Sequence, residues 1–159
     1  MKHNNFIQIL FFLFVTVAYS NCQPKSPIKN YPEEQSIKFL REFYTKYITE
    51  SSKSFVNVEN ENILVKQYCF KSLSHKLDSL QSERSLDFDP FLNSQMIFYS
   101  CISTLKFVMD PKDNQIYYVS YRLPNENNEL VTTKIMVEYD HDTLRIRHIY
   151  CGNNYHITF

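Results

Sequence analysis

The sequence predicts an α+β fold, with N-terminal helices packed on a curved antiparallel β-sheet meander, cone-like in outline. Two observations carry this. Apolar residues recur at helical spacing through residues 33–80 and then alternate residue by residue from 105 onward. The alternating runs are joined by short polar turns, the pattern of consecutive antiparallel strands, and alternation means one buried and one more polar sheet face. The helices come first in the chain and must cover that apolar face, because each layer needs the other to bury its greasy side.

The first helix is expected to start near Glu33 and Glu34, acids that suit the positive end of a helix. Ile37, Leu40, Tyr44, Tyr47 and Ile48 supply its apolar face, which Phe39 and Phe43 widen, and Ser51 to Ser54 end it. A polar loop is expected up to Asn62. Residues 63–80 read as two shorter helices, with Ile63, Leu64 and Tyr68 giving one face and Leu73, Leu77 and Leu80 another. Asp89 followed by Pro90 reads as the N-cap and first position of a further short helix.

Strands follow. Leu105, Phe107 and Met109 alternate with Lys106 and Val108, and residues 110–114 make a turn. Residues 116–123 are rich in Tyr, Val and Ile, and 124–129 form a longer turn. Within 130–139, Ile135, Val137 and Tyr139 share one face while Lys134 and Glu138 take the other. After a tight turn at 140–142, Leu144, Ile146, His148 and Tyr150 are expected to oppose Arg145, Arg147 and Ile149.

A single Gly in 159 residues rules out a Gly-rich phosphate loop and a dinucleotide fingerprint, both of which need glycines where backbone approaches phosphate. Turns must instead rely on Asn, Asp, Ser and Pro. Formal net charge is zero and no basic patch stands out, which argues against nucleic-acid binding.

At the N-terminus, Lys2 precedes an apolar run over residues 6–18 broken only by Gln8 and Thr16. The run suits a signal peptide and falls short of the about 20 residues of a membrane-spanning helix. Two cleavage readings stand. Ala18-Tyr19-Ser20 is a small-x-small site cut before Asn21. Tyr19-Ser20-Asn21-Cys22 is similar to a degenerate bacterial lipobox, with Cys22 as the lipidated first residue, although Tyr19 and Asn21 depart from the usual pattern. A Cys directly after the apolar run and before a Pro-containing stretch favours the second. Residues 1–21 are thus expected to be a signal peptide, 22–34 a tether with Pro24, Pro27 and Pro32, and 35–159 one α+β domain. Acyl chains on Cys22 would hold the protein on a membrane. The exported chain would meet an oxidising compartment, where Cys69, Cys101 and Cys151 allow one disulfide in three pairings, or none if all are small buried hydrophobes.

The string Phe39-Leu40-Arg41-Glu42-Phe43-Tyr44-Thr45-Lys46-Tyr47-Ile48 resembles the opening helix of the "domain of unknown function 3828" family. Leu64-Val65-Lys66-Gln67-Tyr68, Leu73 and Lys76-Leu77-Asp78 add to the likeness, and Leu86-Asp87-Phe88-Asp89-Pro90-Phe91-Leu92-Asn93-Ser94-Gln95 is its most specific part. With the strands, the resemblance spans about residues 35–150. It implies a fold similar to the nuclear transport factor 2-like superfamily and a bacterial exported protein or lipoprotein. It implies no catalytic residues.

Candidate chemistry is sparse. Asp87 and Asp89, with Asn93, could form a ligand or cation site. Calcium wants six to eight oxygens, and the helix-loop-helix calcium loop needs a Gly and a terminal Glu that are missing here. The plainer reading makes Asp89 a helix cap and Asp87 an acceptor for backbone amides. The histidines lack helical metal spacing, so no metal or cofactor is expected. Cys151 and His148 lie three apart on a strand, facing opposite ways, which opposes a thiol–imidazole pair. Tyr44, Tyr47 and Tyr68, with Glu138 and His148, could line a small-ligand pocket inside the cone. The plainer reading is a core built from Tyr and Phe in the absence of Trp.

The leading functional expectation is a non-catalytic, membrane-tethered binding or interaction domain of the bacterial envelope, taking a protein, including a toxin to be neutralised, cell-envelope material or a small ligand. The alternatives are an acid–base enzyme working in the cone, with Glu138 and His148 as its candidates, and a structural envelope lipoprotein.

Overall fold

The computed structural model describes residues 32–55, 57–83, 86–151 and 155–157, within the unit Tyr31–Phe159. The signal peptide, Cys22 and most of the tether lie outside the described residues. The elements are α1 (Glu33–Ser51), α2 (Val58–Tyr68), α3 (Lys71–Ser82), a 3-10 helix (Tyr99–Thr104), and strands β1 (Lys106–Asp110), β2 (Asp113–Arg122), β3 (Leu130–Asp140), β4 (Thr143–Cys151) and β5 (Tyr155–Ile157). The strands pair antiparallel in sequential order, β1-β2-β3-β4-β5, and the chain is α+β. Among the described residues no helix is long and apolar enough to cross a membrane.

α1 opens behind Pro32 with Glu33 and Glu34 in its first turn. It buries Ser36, Leu40, Phe43, Tyr44, Tyr47 and Ile48, a stripe at three- and four-residue spacing. α2 begins five residues before Ile63, inside the stretch expected to be loop. Asn57 caps it, its side-chain oxygen accepting from the Glu59 amide at 3.0 Å. Glu59 and Glu61 lie in its first turn, where the helix dipole favours acids. A polar composition masked this start, because the first turns of α2 face outward and need no apolar residues. Between α2 and α3 the chain touches the sheet: Cys69 bridges Ile146, and the Phe70 amide donates to the Ile146 carbonyl at 2.9 Å.

One face of the sheet carries Tyr117, Val119, Tyr121, Val131, Ile135, Val137, Ile146 and Ile149, which form one buried cluster with the inward residues of α1, α2 and α3. The other face carries Tyr118, Lys134, Met136, Glu138, His148 and Tyr150. A β-bulge fixes this arrangement in β4. Met136 pairs with His148 but Val137 pairs with Ile146, so Arg147 is an extra residue. The strand changes phase there. Ile146 and Ile149 both point inward although they are three apart, and His148 and Tyr150 turn away from Ile146. The regular alternation expected for this strand is therefore corrected: Ile149 shares a face with Ile146, and His148 does not.

Two further expectations are revised. Asp89-Pro90 opens a turn, not a helix: Asp89 and Ser94 pair back on each other, and Asn93 closes the turn with φ 48°. The short β5 continues the sheet beyond the strands expected from alternation. With so few glycines, Asn128 (φ 47°) and His141 (φ 57°) also take left-handed positions in the strand connections.

Cys69 and Cys101 are buried free thiols. Each of the three disulfide pairings needs one of them, so none is formed. Burial pushes the Cys69 thiol pKa far above its ordinary value, and the nearby Arg145 offsets this only in part. Both cysteines belong to the hydrophobic cluster. The side chain of Cys151 lies outside the described residues.

Candidate functional site

The segment 89–94 is tied to both layers by side-chain hydrogen bonds. Asp89 Oδ1 accepts from the amides of Phe91 (2.8 Å) and Leu92 (3.0 Å), and Oδ2 accepts from the Tyr47 hydroxyl (2.7 Å). The Tyr44 hydroxyl donates to the Phe91 carbonyl (2.9 Å), and the Tyr121 hydroxyl donates to the Leu92 carbonyl (2.6 Å). Two tyrosines of α1 and one of β2 thereby hold the loop from opposite layers. The Phe91 and Leu92 side chains are buried between those layers. Phe91 packs edge-on to Phe43, with ring centres 5.0 Å apart, and lies 5.1 Å from Tyr47.

Burial pushes the Asp89 carboxyl up to about 6. The hydrogen bonds from Tyr47, Leu92 and Phe91 pull it down, and the charge of Glu61 raises it further. Tyr47, buried against that carboxylate, is pushed well above its usual range, so its hydroxyl stays a donor.

A cavity of about 280 Å³ opens beside this loop. Its walls come from α1 (Tyr47), α2 (Glu61, Asn62, Val65), α3 (Leu77, Asp78, Gln81), Leu86 and residues 88–91, and among the described residues no strand residue lines it. A shallower groove of about 350 Å³ lies on the other side of Asp89 and Glu61, between the end of α1 (Ser51, Ser52, Lys53) and residues 94–98. Ser51 Oγ donates to Glu61 Oε1 at 2.6 Å across that junction.

The residues singled out from sequence do not gather in one place. Asp87 is exposed, Asp89 faces amides and Tyr47, and the Asn93 side chain donates to the Thr132 carbonyl at 3.3 Å. These three do not form an oxygen cage, and among the described residues no group of His, Cys, Asp and Glu could hold a metal ion. Tyr44 and Tyr47 are spent on the loop. Tyr68 donates to Glu42 Oε1 (2.6 Å) and accepts from Lys46 Nζ (2.7 Å) on the outer side of α1. That set lowers the Glu42 pKa, chiefly through its hydrogen bond from Lys46. Glu138 and His148 occupy the sheet face turned away from the helices. Glu138 Oε2 lies 3.9 Å from Arg147 Nε, and the His148 ring is 6.4 Å from that of Tyr150. Burial and then the Arg147 charge hold the His148 pKa down.

Of the proposed pocket residues, only Tyr47 lines the described cavity, and the reason is geometric. Helix-facing and outward-facing strand positions alternate, and the bulge puts His148 with the outward set. The space between helix and sheet is filled by Leu40, Phe43, Tyr44, Tyr117, Tyr121 and their neighbours. Glu61, Asn62, Asp78 and Gln81 were missed as cavity residues. The signal was present in the polar positions of α2 and α3, but it needed the packing of the two helices to be read.

No known protein family's profile matches the chain, and no curated protein matches it. Two solved structures do. One is a protein of unknown function from Bacteroides thetaiotaomicron VPI-5482, 19% identical, with a TM-score of 0.65, covering 74% of this chain and 90% of its own. The other is a chain of the type VI native effector-immunity complex Tae3-Tai3 from Ralstonia pickettii, 15% identical, with a TM-score of 0.59, covering 80% of this chain and 99% of its own. At these identities the likeness shows a shared α+β fold.

Proposed function

We propose that this chain is an exported, membrane-tethered domain that binds a protein of the toxin class and thereby neutralises it. The carrying observation is the fold shared with a chain of an effector-immunity complex over nearly the whole of that chain. The site geometry agrees with it. The tyrosines and Asp89 are engaged in bracing a loop, and the two acid–base candidates face away from the cavity. Beside the cavity and groove, Met96 and Phe98 are exposed, and Phe55 and Tyr99 are exposed close by in sequence. Exposed large apolar side chains around a recess are a common mark of a protein contact. Membership of the "domain of unknown function 3828" family and of the nuclear transport factor 2-like superfamily belongs to the same proposal, and so does a bacterial envelope location.

Two measurements test it. Titration against a panel of purified type VI effectors is expected to find a one-to-one complex with Kd below about 1 µM, a free energy of about −8 kcal/mol, together with loss of that effector's toxicity in cells. A panel without any binder, in cells that gain no protection, would overturn the neutralising role. For the tether, Cys22→Ser is expected to abolish metabolic palmitate labelling and to release the chain from the membrane fraction. Labelling that persists in the variant sinks the lipidation proposal alone.

A further inference from the structure

β1 is an edge strand. It pairs with β2, and among the described residues its backbone bonds to no other strand. On the far side of the sheet, β4 is covered by β5 over Ile149–Cys151 and by the Cys69 bridge at Ile146. Every second residue of an edge strand directs its N–H and C=O groups away from its neighbour, a template for another strand. Edges are blunted by Pro, by charges or by bulges. β1 has no Pro, and its register with β2 is regular from Lys106 to Met109, shifting only at Asp110. Its charges stand at its two ends, Lys106 and Asp110, and Val108, midway between them, is 58% exposed. Val108 pairs with Tyr118, so both lie on the outer sheet face. The Asp110 carboxylate is held on that face, accepting from the Tyr118 hydroxyl at 2.7 Å and from the Lys112 amide at 2.8 Å.

We infer that β1 docks a second copy of this chain, the two β1 strands pairing antiparallel about a two-fold axis at Val108 and joining both sheets into one. The strand's own sequence selects that occupant. A two-fold interface must be complementary to itself, and Lys-Phe-Val-Met-Asp read antiparallel meets this condition. In the register centred on Val108, Lys106 of each copy stands opposite Asp110 of the other, and directly opposed unlike charges attract. These two contacts flank Val108 against Val108. On the helix side, Phe107 stands opposite Met109 of the second copy. Both already pack at the margin of the buried cluster, so pairing carries the apolar layer from one copy into the next. A slip of two residues removes both charge contacts, which fixes the register. A strand with one sign of charge throughout would meet a like charge at one end. Five residues on each side make a small interface, so the dimer is weak, with Kd on the order of 10 µM. The inference goes beyond the neutralising role and involves no effector.

The experiment follows the full chain, as purified from its producing cell, by sedimentation equilibrium in density-matched detergent. Wild type is expected to dimerise. Lys106→Glu and Asp110→Lys each set like charges together at both contacts and should weaken the dimer at least tenfold. Mixed in equal amounts, the two variants restore both pairs, and the mixed dimer should return to within about threefold of wild type. Val108→Cys should form a disulfide-linked dimer under mild oxidation that wild type does not, because directly opposed residues have Cα atoms about 4.5–5.5 Å apart, within disulfide reach. If Asp110→Lys fails to fold, the Lys106→Glu loss and the Val108→Cys cross-link decide the matter. A chain that stays monomeric well above the expected Kd, a dimer indifferent to Lys106→Glu, a mixture of folded variants that regains no affinity, or a Val108→Cys variant that cross-links no faster than wild type overturns the inference. An effector that pairs with β1 of a monomeric chain also overturns it and leaves the neutralising role standing. A dimer that behaves as expected while no effector binds upholds it, and the neutralising role alone falls.

Discussion

Phe43→Ala is expected to destabilise the fold by about 3–5 kcal/mol, the cost of emptying a fully buried aromatic site. Phe43 has no solvent exposure and touches four rings: Tyr44 (5.3 Å), Tyr47 (5.3 Å), Tyr68 (5.4 Å) and Phe91 (5.0 Å). It joins α1 to α2 and to the 89–94 loop. Truncation therefore leaves a cavity at a three-way junction, where no single element can collapse to fill it. Ring pairs of this kind add about 0.5–1.5 kcal/mol beyond area. Set against a total of about 5–15 kcal/mol for a typical domain, the change leaves a marginal fold. Urea titration followed by far-UV circular dichroism measures it. The contrast is Phe55→Ala, whose side chain is 90% exposed and whose loss should shift stability by no more than about 0.5 kcal/mol. A Phe43→Ala effect under 1 kcal/mol would refute the junction role.

The second large effect is at Asp89, where alanine and asparagine should behave differently. Asp89→Ala strips the acceptor from two amides and from the Tyr47 hydroxyl. Groups left without partners cost about 1–3 kcal/mol each, so a total of about 2–4 kcal/mol is expected after partial access to water. Asparagine keeps an oxygen for the Phe91 and Leu92 amides and can donate to the Tyr47 oxygen, so its cost at pH 7 should be under about 1 kcal/mol.

The pH profile separates charge from hydrogen bonding. The native carboxyl titrates near 6, and the unfolded one near its ordinary value of about 3.9. The native state thus holds the proton more tightly. Asp89 adds stability that is fully present below about pH 3.9 and is lost as pH rises through 6. Glu42, Glu50 and Asp110, all with lowered pKa, act in the opposite sense and lose their contribution as pH falls. Glu42 is exposed and Glu50 and Asp110 are half-buried at the surface, where solvent screening keeps their share small. The difference between wild type and Asp89→Asn isolates the Asp89 component. It should fall by about 2–3 kcal/mol between pH 4 and pH 7. A difference that stays flat over that range would show that the carboxyl is not raised.

Much of the fold was legible because local periodicity and burial agree along most of the chain. The α1 stripe from Leu40 to Ile48 and the alternation of Ile135, Val137 and Tyr139 each predict the face that the structure buries. Asp89 was legible as an acceptor for backbone amides, since an Asp before Pro bonds the amides that follow whether those residues form a helix or a turn. The tyrosines were legible as core material, but not as the hydroxyls that hold Phe91 and Leu92, because those bonds link residues 29 and 47 positions apart.

Sequence alone determined the layer order, the faces of β1 and β3, the absence of glycine-built phosphate sites and the amide-accepting role of Asp89. All of these are properties of short stretches, read through backbone geometry and side-chain size. Tertiary structure decided three other matters: the phase of β4, the filling of the space between helices and sheet, and the acidic recess made jointly by α2, α3 and residues 86–91. Each depends on how distant segments pack. An extra residue at Arg147 reverses a strand's faces, and a cavity exists only where three helices and a loop fail to meet. No local pattern of residues encodes either one.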